Sequence, residues 1–178
     1  MTPKRKVMMF IAMSLDGYIA TKDESLEWLF KHEGDGDNGY EAFYDTIDTV
    51  IMGRKTYEWI KTEMSGGYPY KGKENYIFSA GLTGEKGDVI FVNEDPVSFT
   101  EQLKKQEGKD IWIVGGGELL LPLIKEKVVD EMIIAVAPTL IGNGIPLFKE
   151  GEYELDLELM GTRRFDDFVE LHYRVKKE

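Results

Sequence analysis

Cysteine is absent from the 178 residues, and histidine occurs only twice, at His32 and His172. The first absence excludes a disulfide scaffold, a thiol nucleophile, an iron–sulfur cluster and the common zinc sites. The second excludes a metal centre built on several imidazoles. No stretch approaches the roughly 20 apolar residues needed to span a bilayer. The apolar run 7–13 follows Lys4-Arg5-Lys6 as a signal peptide would, yet it stops at Ser14 and Asp16 without a small-residue cleavage site, so it reads as a buried strand. Basic residues are scarce as well: 22 Lys and Arg stand against 33 Asp and Glu, a net charge of −11. That balance argues against nucleic acid or membrane as a partner, since duplex DNA and anionic lipid both need a basic face. Internal repeats, low-complexity tracts and Pro/Ser-rich linkers are missing too. The length suits one domain with one core, expected over residues 1–178, and the expected location is the cytoplasm.

What is present is a series of short, β-branched or aromatic runs bounded by Gly, Asp or Asn. They predict strands over 7–13, 49–52, 75–78, 89–92, 111–114 and 131–137. Helical patterns lie between several of them, over 54–61, 97–106 and 118–127. Strands alternating with short helices imply an α/β fold: a mostly parallel central sheet with helices on both faces. The last part alternates instead. Tyr153, Leu155, Leu157 and Leu159 predict one strand; Phe168, Leu171, Tyr173 and Val175, with one slip, predict another. Arg163-Arg164-Phe165-Asp166-Asp167 reads as the turn of an antiparallel hairpin on one sheet edge.

Two strand–glycine–helix corners are candidate anion sites. Val50-Ile51-Met52 runs into Gly53, then Arg54, Lys55 and Thr56 open a helix. A helix start offers unpaired N–H groups and a partial positive charge, to which Arg54 and Thr56 add donors. Ile111-Trp112-Ile113-Val114 runs into Gly115-Gly116-Gly117 and then Glu118-Leu119. Three successive glycines cost chain entropy, which points to unusual dihedrals or a close backbone approach. Neither corner matches G-x-G-x-x-G or the P-loop. A glycine turn beside solvated charges is the plain alternative for each, but two such corners in one parallel sheet could flank a pyrophosphate at the carboxyl ends of the strands.

At these residues the chain resembles the dihydrofolate reductase superfamily over nearly its whole length, which implies a three-layer dihydrofolate-reductase-like fold. Residues 11–20 (Ile-Ala-Met-Ser-Leu-Asp-Gly-Tyr-Ile-Ala) resemble its first strand and the loop beside the nicotinamide. Val50 to Tyr57 resembles its cofactor-binding helix start, Ile77-Phe78-Ser79 the strand end near the adenosine ribose, and Val114 to Glu118 its glycine-rich loop. Residues 136–148, containing Pro138-Thr139-Leu140-Ile141-Gly142-Asn143-Gly144-Ile145-Pro146-Leu147-Phe148, are similar to the signature of the riboflavin-pathway reductase, the C-terminal domain of a bifunctional deaminase–reductase. No deaminase half precedes them here, so a complete bifunctional riboflavin enzyme is not expected.

The resemblance implies hydride transfer from NADPH to a C=N bond of a small heterocyclic substrate, in the manner of the 5-amino-6-(5-phosphoribosylamino)uracil reductases of riboflavin biosynthesis. It places Arg54 and Ser79 at the 2′-phosphate, and Gly53, Lys55 and Thr56 at the pyrophosphate. Gly115, Gly116, Gly117, Glu118 and Leu119 lie on its other side, and Ala12 and Ile19 at the nicotinamide. Trp28, Tyr40 and Phe43 would border the substrate, and a homodimer is implied. A folate-type acid would follow Trp28, where Glu33, Asp35 and Asp37 all stand; Asp37 and Glu33 are the candidate proton sources. Ala135 replaces the threonine that supports the acid in folate reductases, and Ala80 stands where many relatives carry a basic residue. The alternatives are dihydrofolate reductase activity and a nucleotide-binding module without catalysis.

The acidic stretch 33–39 fails the EF-hand template, because Asn38 and Tyr44 occupy its glycine and closing-acid positions. A mobile acidic loop over the site is the preferred reading. Trp59 and Trp112 read as packing, and Arg163 and Arg164 as a solvated turn pair that could hold a substrate phosphate.

Overall fold

The computed structural model describes residues 4–34, 36–64 and 66–178. Apolar β-branched runs pair into a nine-stranded sheet of order β10-β11-β8-β1-β7-β3-β4-β6-β5. Its parallel centre consists of β1 (Val7–Ser14), β3 (Ile47–Gly53), β4 (Glu74–Phe78), β6 (Val89–Val92), β7 (Asp110–Ile113) and β8 (Glu131–Ala137). The edges are antiparallel: β5 (Gly84–Lys86) on one side, and β10 (Leu157–Phe165) with β11 (Phe168–Val175) on the other. A separate pair joins β2 (Tyr18–Ala20) to β9 (Ile145–Pro146). The central strands are apolar on both faces because helices cover both.

Which helix covers which face follows from the direction of each crossover. A parallel crossover winds right-handed. The chain steps from β3 to β4 one way and from β6 to β7 and then β8 the other way, so the connecting helices fall on opposite faces. α4 (Pro96–Lys105) and α5 (Gly117–Lys125) pack Leu103, Leu120, Leu123 and Ile124 on one face, over Val7, Met9, Ile51, Ile111 and Ile113. α2 (Tyr40–Tyr44) and α3 (Arg54–Glu63) pack Phe43, Tyr57 and Ile60 on the other, over Met8, Val50, Met52, Ile77 and Trp112. α1 (Glu27–Phe30) adds Trp28 to that second face, against Ala137 and Phe168. Local sequence sets the helix starts: Asp95 accepts from the Ser98 amide at 2.9 Å, and Pro96 occupies the first turn of α4.

Two expectations for the C-terminal part change. Strand structure begins only at Leu157; Tyr153 and Leu155 instead tuck against the α5-side core as irregular chain. The turn is just Asp166 and Asp167, with Asp166 at φ +54, so Arg163 and Arg164 lie inside β10 rather than in the turn. The register slip falls in β10, between Leu159 and Gly161, whereas β11 pairs with β8 without a break. Phe168, Glu170 and His172 therefore share one face of β11, and Leu171, Tyr173 and Val175 share the other.

The amino end of the sheet is closed by satisfied charge. Arg5, 4% exposed, donates to the carbonyls of Lys109 and Leu103 and to Asp48 and Thr49, tying the chain before β1 to β3 and β7. Buried Glu131 meets His172 at 2.7 Å and Lys6 at 3.1 Å, joining β8, β11 and β1. Burial alone would raise the Glu131 carboxyl, but the hydrogen bonds from His172 and Lys6 outweigh it and hold the group below its ordinary value of 4.5. A depressed carboxyl stabilises the fold above its unfolded value and loses that contribution as pH falls through its folded value. Glu131→Gln is thus expected to lower the unfolding free energy at pH 7 by about 1–3 kcal/mol. Urea titrations from pH 7 down to pH 3 should show the gap to wild type closing in acid.

Candidate active site

α3 and α5 leave the adjacent ends of β3 and β7 for opposite faces, which opens a crevice between them at the carboxyl end of the sheet. The two glycine-led corners meet there. The Val114 amide donates to the Ile51 carbonyl at 2.9 Å, and a Cβ on Gly115 would lie 2.7 Å from Thr56 Oγ1. A Cβ on Gly116 would lie 3.2 Å from Ile19 and 3.5 Å from Leu147. Gly115 (φ +86) and Gly117 (φ +68) adopt left-handed backbone that other residues resist, and every described peptide bond is trans. Part of the demand for glycine here is therefore packing against Thr56 and Ile19.

Gly53 differs. Its dihedrals, φ −80 and ψ 163, suit any residue, and nothing stands within 4 Å of where its Cβ would be. Neither backbone conformation nor a protein neighbour requires glycine at this strand end, so the open cradle in front of it fits a ligand's close approach. Neither α3 nor α5 has a side-chain cap, so both starts keep amide N–H groups for an anion. Glu118 does not occupy its own helix end: its side chain is 78% exposed and reaches toward Lys149, 3.9 Å away. Lys55 is exposed. Arg54 pairs with Glu58 at 2.9 Å, a solvent-exposed i,i+4 contact weak enough to exchange for a phosphate. Ser79 sits buried at the end of β4 and accepts from the Gly81 amide at 3.3 Å. Leu119 points its side chain into the core under α5.

The loop after β1 is clasped rather than loose. Ser14, fully buried, donates to Asp16 at 2.6 Å and accepts from the Tyr18 amide. Asp16 also accepts from the amides of Gly142 (2.8 Å) and Ile141 (3.3 Å). The Ser14 hydroxyl, helped by these two amides, holds its carboxyl below the ordinary value. Leu15 donates to the Thr139 carbonyl, Leu147 donates to the Gly17 carbonyl, and β2 pairs with β9. A Cβ on Gly144 would run into the Ala20 carbonyl. The 136–148 segment thus fixes Ile19 beside Gly116. Sequence reasoning missed Asp16, although an acid before Gly17 in a Ser-x-Asp-Gly turn is a usable signal.

Ala12, half-buried in β1, stands opposite Ala135 in β8 on the face shared with α1 and α2. These two small side chains on central strands make a hollow. Trp28 borders it from α1, and Tyr40 from α2. Phe43 is core, stacked on Phe10 at 4.4 Å and edge-on to Trp112 at 5.4 Å. Tyr40 lies 6.1 Å from Phe10 and 5.9 Å from Trp112, and burial pushes its hydroxyl up to about 12.

The two candidate acids are both exposed. Asp37 is exposed, and its carboxylate accepts from the amides of Gly39 (3.0 Å) and Glu41 (2.9 Å), which open α2. The Glu41 and Gly39 amides hold it below the ordinary value, the state of a helix-start acceptor rather than a proton donor. Glu33 is exposed, and Asp35 lies outside the described residues. Glu170 in β11, directly opposite Ala135 and 4% exposed, is a buried carboxylate on this face, nearer the carboxyl end of the sheet than Glu131. Its signal was an acid at an inward position between Phe168 and His172, hidden by assigning the slip to the wrong strand. Two surface hollows, about 340 Å³ beside Tyr57, Lys61 and Tyr68 and about 210 Å³ between Arg5, Asp130 and Lys177, lie at the amino end of the sheet, away from the crevice.

Comparison with known proteins agrees with this fold. The chain is 47% identical to YwjB of Bacillus subtilis (strain 168), an uncharacterized protein, over 171 residues that cover 96% of this chain and 98% of that one. A Shewanella sp. PV-4 protein provisionally assigned to riboflavin biosynthesis superposes with a TM-score of 0.86 at 29% identity, covering 97% of this chain and 99% of that one. A dihydrofolate reductase from Enterococcus faecalis shares the fold, with a TM-score of 0.68 at 13% identity over 97% of both chains. The description of the RibD C-terminal domain matches residues 5–171. The chain belongs to the RibD C-terminal domain family, and its fold is that of the dihydrofolate reductases.

Proposed function

We propose that this protein is an NADPH-dependent reductase of the riboflavin-biosynthesis type, reducing a C=N bond of a small heterocycle such as a ribosylamino-pyrimidine. The observation that carries the reading is the cradle before Gly53, set between two uncapped helix starts that converge through Thr56 and Gly115. Its uncapped amide donors suit a pyrophosphate. Lys55, Thr56 and the amides following Gly53 and Gly116 would hold that group, while Arg54 and Ser79 would meet a 2′-phosphate. Ala12 and Ile19 would bound the nicotinamide.

NADPH supplies the hydride when bound; the chain supplies position and exclusion of water. The Asp16 clasp holds Ile19 against Gly116, and the small side chains of Ala12 and Ala135 would admit a flat ring on the face shared with α1 and α2. Ala135 and the exposed, helix-capping Asp37 both speak against a folate-type acid, which favours the ribosylamino-pyrimidine over dihydrofolate. A second copy of the chain could pair along β10, an exposed edge strand that displays Leu157, Leu159 and Met160.

Gly53→Val should leave the urea midpoint within error of wild type and weaken NADPH binding at least about tenfold by calorimetry. Undiminished binding would remove the cradle from the site. Arg54→Ala is expected to weaken NADPH about tenfold while leaving NADH nearly unchanged; equal losses would end the 2′-phosphate role. Absorbance at 340 nm with the purified chain and NADPH should fall with the ribosylamino-pyrimidine and hardly at all with dihydrofolate. Loss of signal with dihydrofolate alone would reverse the substrate assignment.

A further inference from the structure

The sheet face beneath α1 carries polar groups that the cofactor reading leaves unused. Among the described residues, the Glu170 carboxylate has one protein partner, the Nε–H of Arg163 at 2.8 Å. Arg163, Glu170, Ala135 and Ala12 stand in one row across β10, β11, β8 and β1. With strands about 5 Å apart, Glu170 closes one end of the alanine hollow and Arg163 lies one strand further out. The guanidinium reaches back over the face toward α2, since a Cβ on Gly39 would lie 2.8 Å from its terminal nitrogen.

Two ring nitrogens in the overlying segment, Trp28 Nε1 and His32 Nε2, are buried without a protein hydrogen-bond partner among the described residues. Trp28 is 6% exposed and packs with Phe168 and Ala137, which are sequence neighbours, two residues away, of Glu170 and Ala135 on the same face. His32 follows four residues later. Two residues further on stands Gly34, where a Cβ would meet the Asp166 carboxylate, so the segment is laid over the hairpin. A buried polar group without a partner costs about 1–3 kcal/mol, and such groups call for a ligand or water to complete them.

We propose that Trp28, His32, Glu170 and Arg163 form the polar end of the substrate pocket and read a cyclic-amide edge, an adjacent C=O and N–H, of a flat heterocycle lying over Ala12 and Ala135. The carboxylate and guanidinium cancel in charge, so the cluster suits a neutral edge that both donates and accepts. The Glu170 carboxylate accepts the ring N–H, and the Trp28 indole and Arg163 donate to the carbonyl oxygens. His32 adds a further ring nitrogen at the same wall. The assignment rests on the reductase reading of this crevice and names the residues that would read the substrate's ring edge.

The test titrates the full-length chain, alone and with NADPH, with lumazine (pteridine-2,4-dione) and with 1,3-dimethyllumazine, whose amide nitrogens cannot donate. Wild type is expected to bind lumazine saturably and the dimethyl compound at least about tenfold more weakly. Glu170→Gln should weaken lumazine about tenfold and leave dimethyllumazine, which has no ring N–H to donate, within about twofold. Trp28→Phe, which removes a donor to a carbonyl that both probes carry, should weaken lumazine about tenfold and the dimethyl compound as well, with NADPH binding within about twofold for both variants. If Glu170→Gln does not fold, Trp28→Phe, which keeps the aromatic packing, decides the matter. Equal affinity for the two probes, no lumazine binding, or variants that bind lumazine like wild type would each overturn the proposal. The NADPH titration separates the two readings. Absent NADPH binding with intact probe discrimination removes the reductase reading and leaves the amide-reading pocket standing; intact NADPH binding without discrimination does the reverse.

Discussion

The handedness of the crossovers decides where this molecule can hold a ligand. Because β–α–β units wind right-handed, the face a helix takes depends on the direction in which the chain crosses the sheet. β7 is laid between β1 and β3, and its helix leaves toward β8 while the helix after β3 leaves toward β4. Adjacent strand ends are thereby left with helices on opposite faces, and the crevice between them follows from the topology. Every feature of the site, from the paired glycine corners to the clasped loop after β1, is arranged around that opening.

The two ends of the sheet treat polar groups in opposite ways. At the amino end Arg5 and Glu131 are buried and fully engaged, so they tie strands together. At the carboxyl end the starts of α3 and α5 lack side-chain caps, Gly53 faces open space, and the ring nitrogens of Trp28 and His32 have no protein hydrogen-bond partner among the described residues. A protein of net charge −11 cannot draw an anion by its overall field. Local amide donors, Arg54 and Lys55 must do so at short range, where helix-end dipoles act within about one turn.

Much of this was legible in the residues themselves. The six parallel strands and the two strand–glycine–helix corners lie where alternation, β-branching and glycine placed them. The clasp was half-visible: Asp16-Gly17 and Gly142-Asn143-Gly144 announce turns, but nothing local says that one turn's carboxylate caps the other's amides. The hairpin was legible in kind and misplaced in detail. Reading Phe168 onto the face of Leu171 and Tyr173 turned Glu170 outward, because the irregularity was assigned to β11 when it belongs to β10. By residue type Asp37 and Glu33 are alternative candidates for the proton source after Trp28, yet Asp37 opens α2 and Glu33 is exposed.

The sequence by itself determined the class of fold, the order of its elements and the two corners where backbone donors gather. Those depend on side-chain periodicity and on dihedrals that glycine permits, both of which are local. Only the tertiary structure decided that Thr56 meets Gly115, that Asp16 clasps Gly142, and that Glu170 rather than Asp37 is the buried acid beside Ala135. These contacts join residues 59 to 126 positions apart on the first two counts and neighbouring strands of opposite direction on the third. Strand order and register set them, and a single-residue shift in register moves a side chain to the other face.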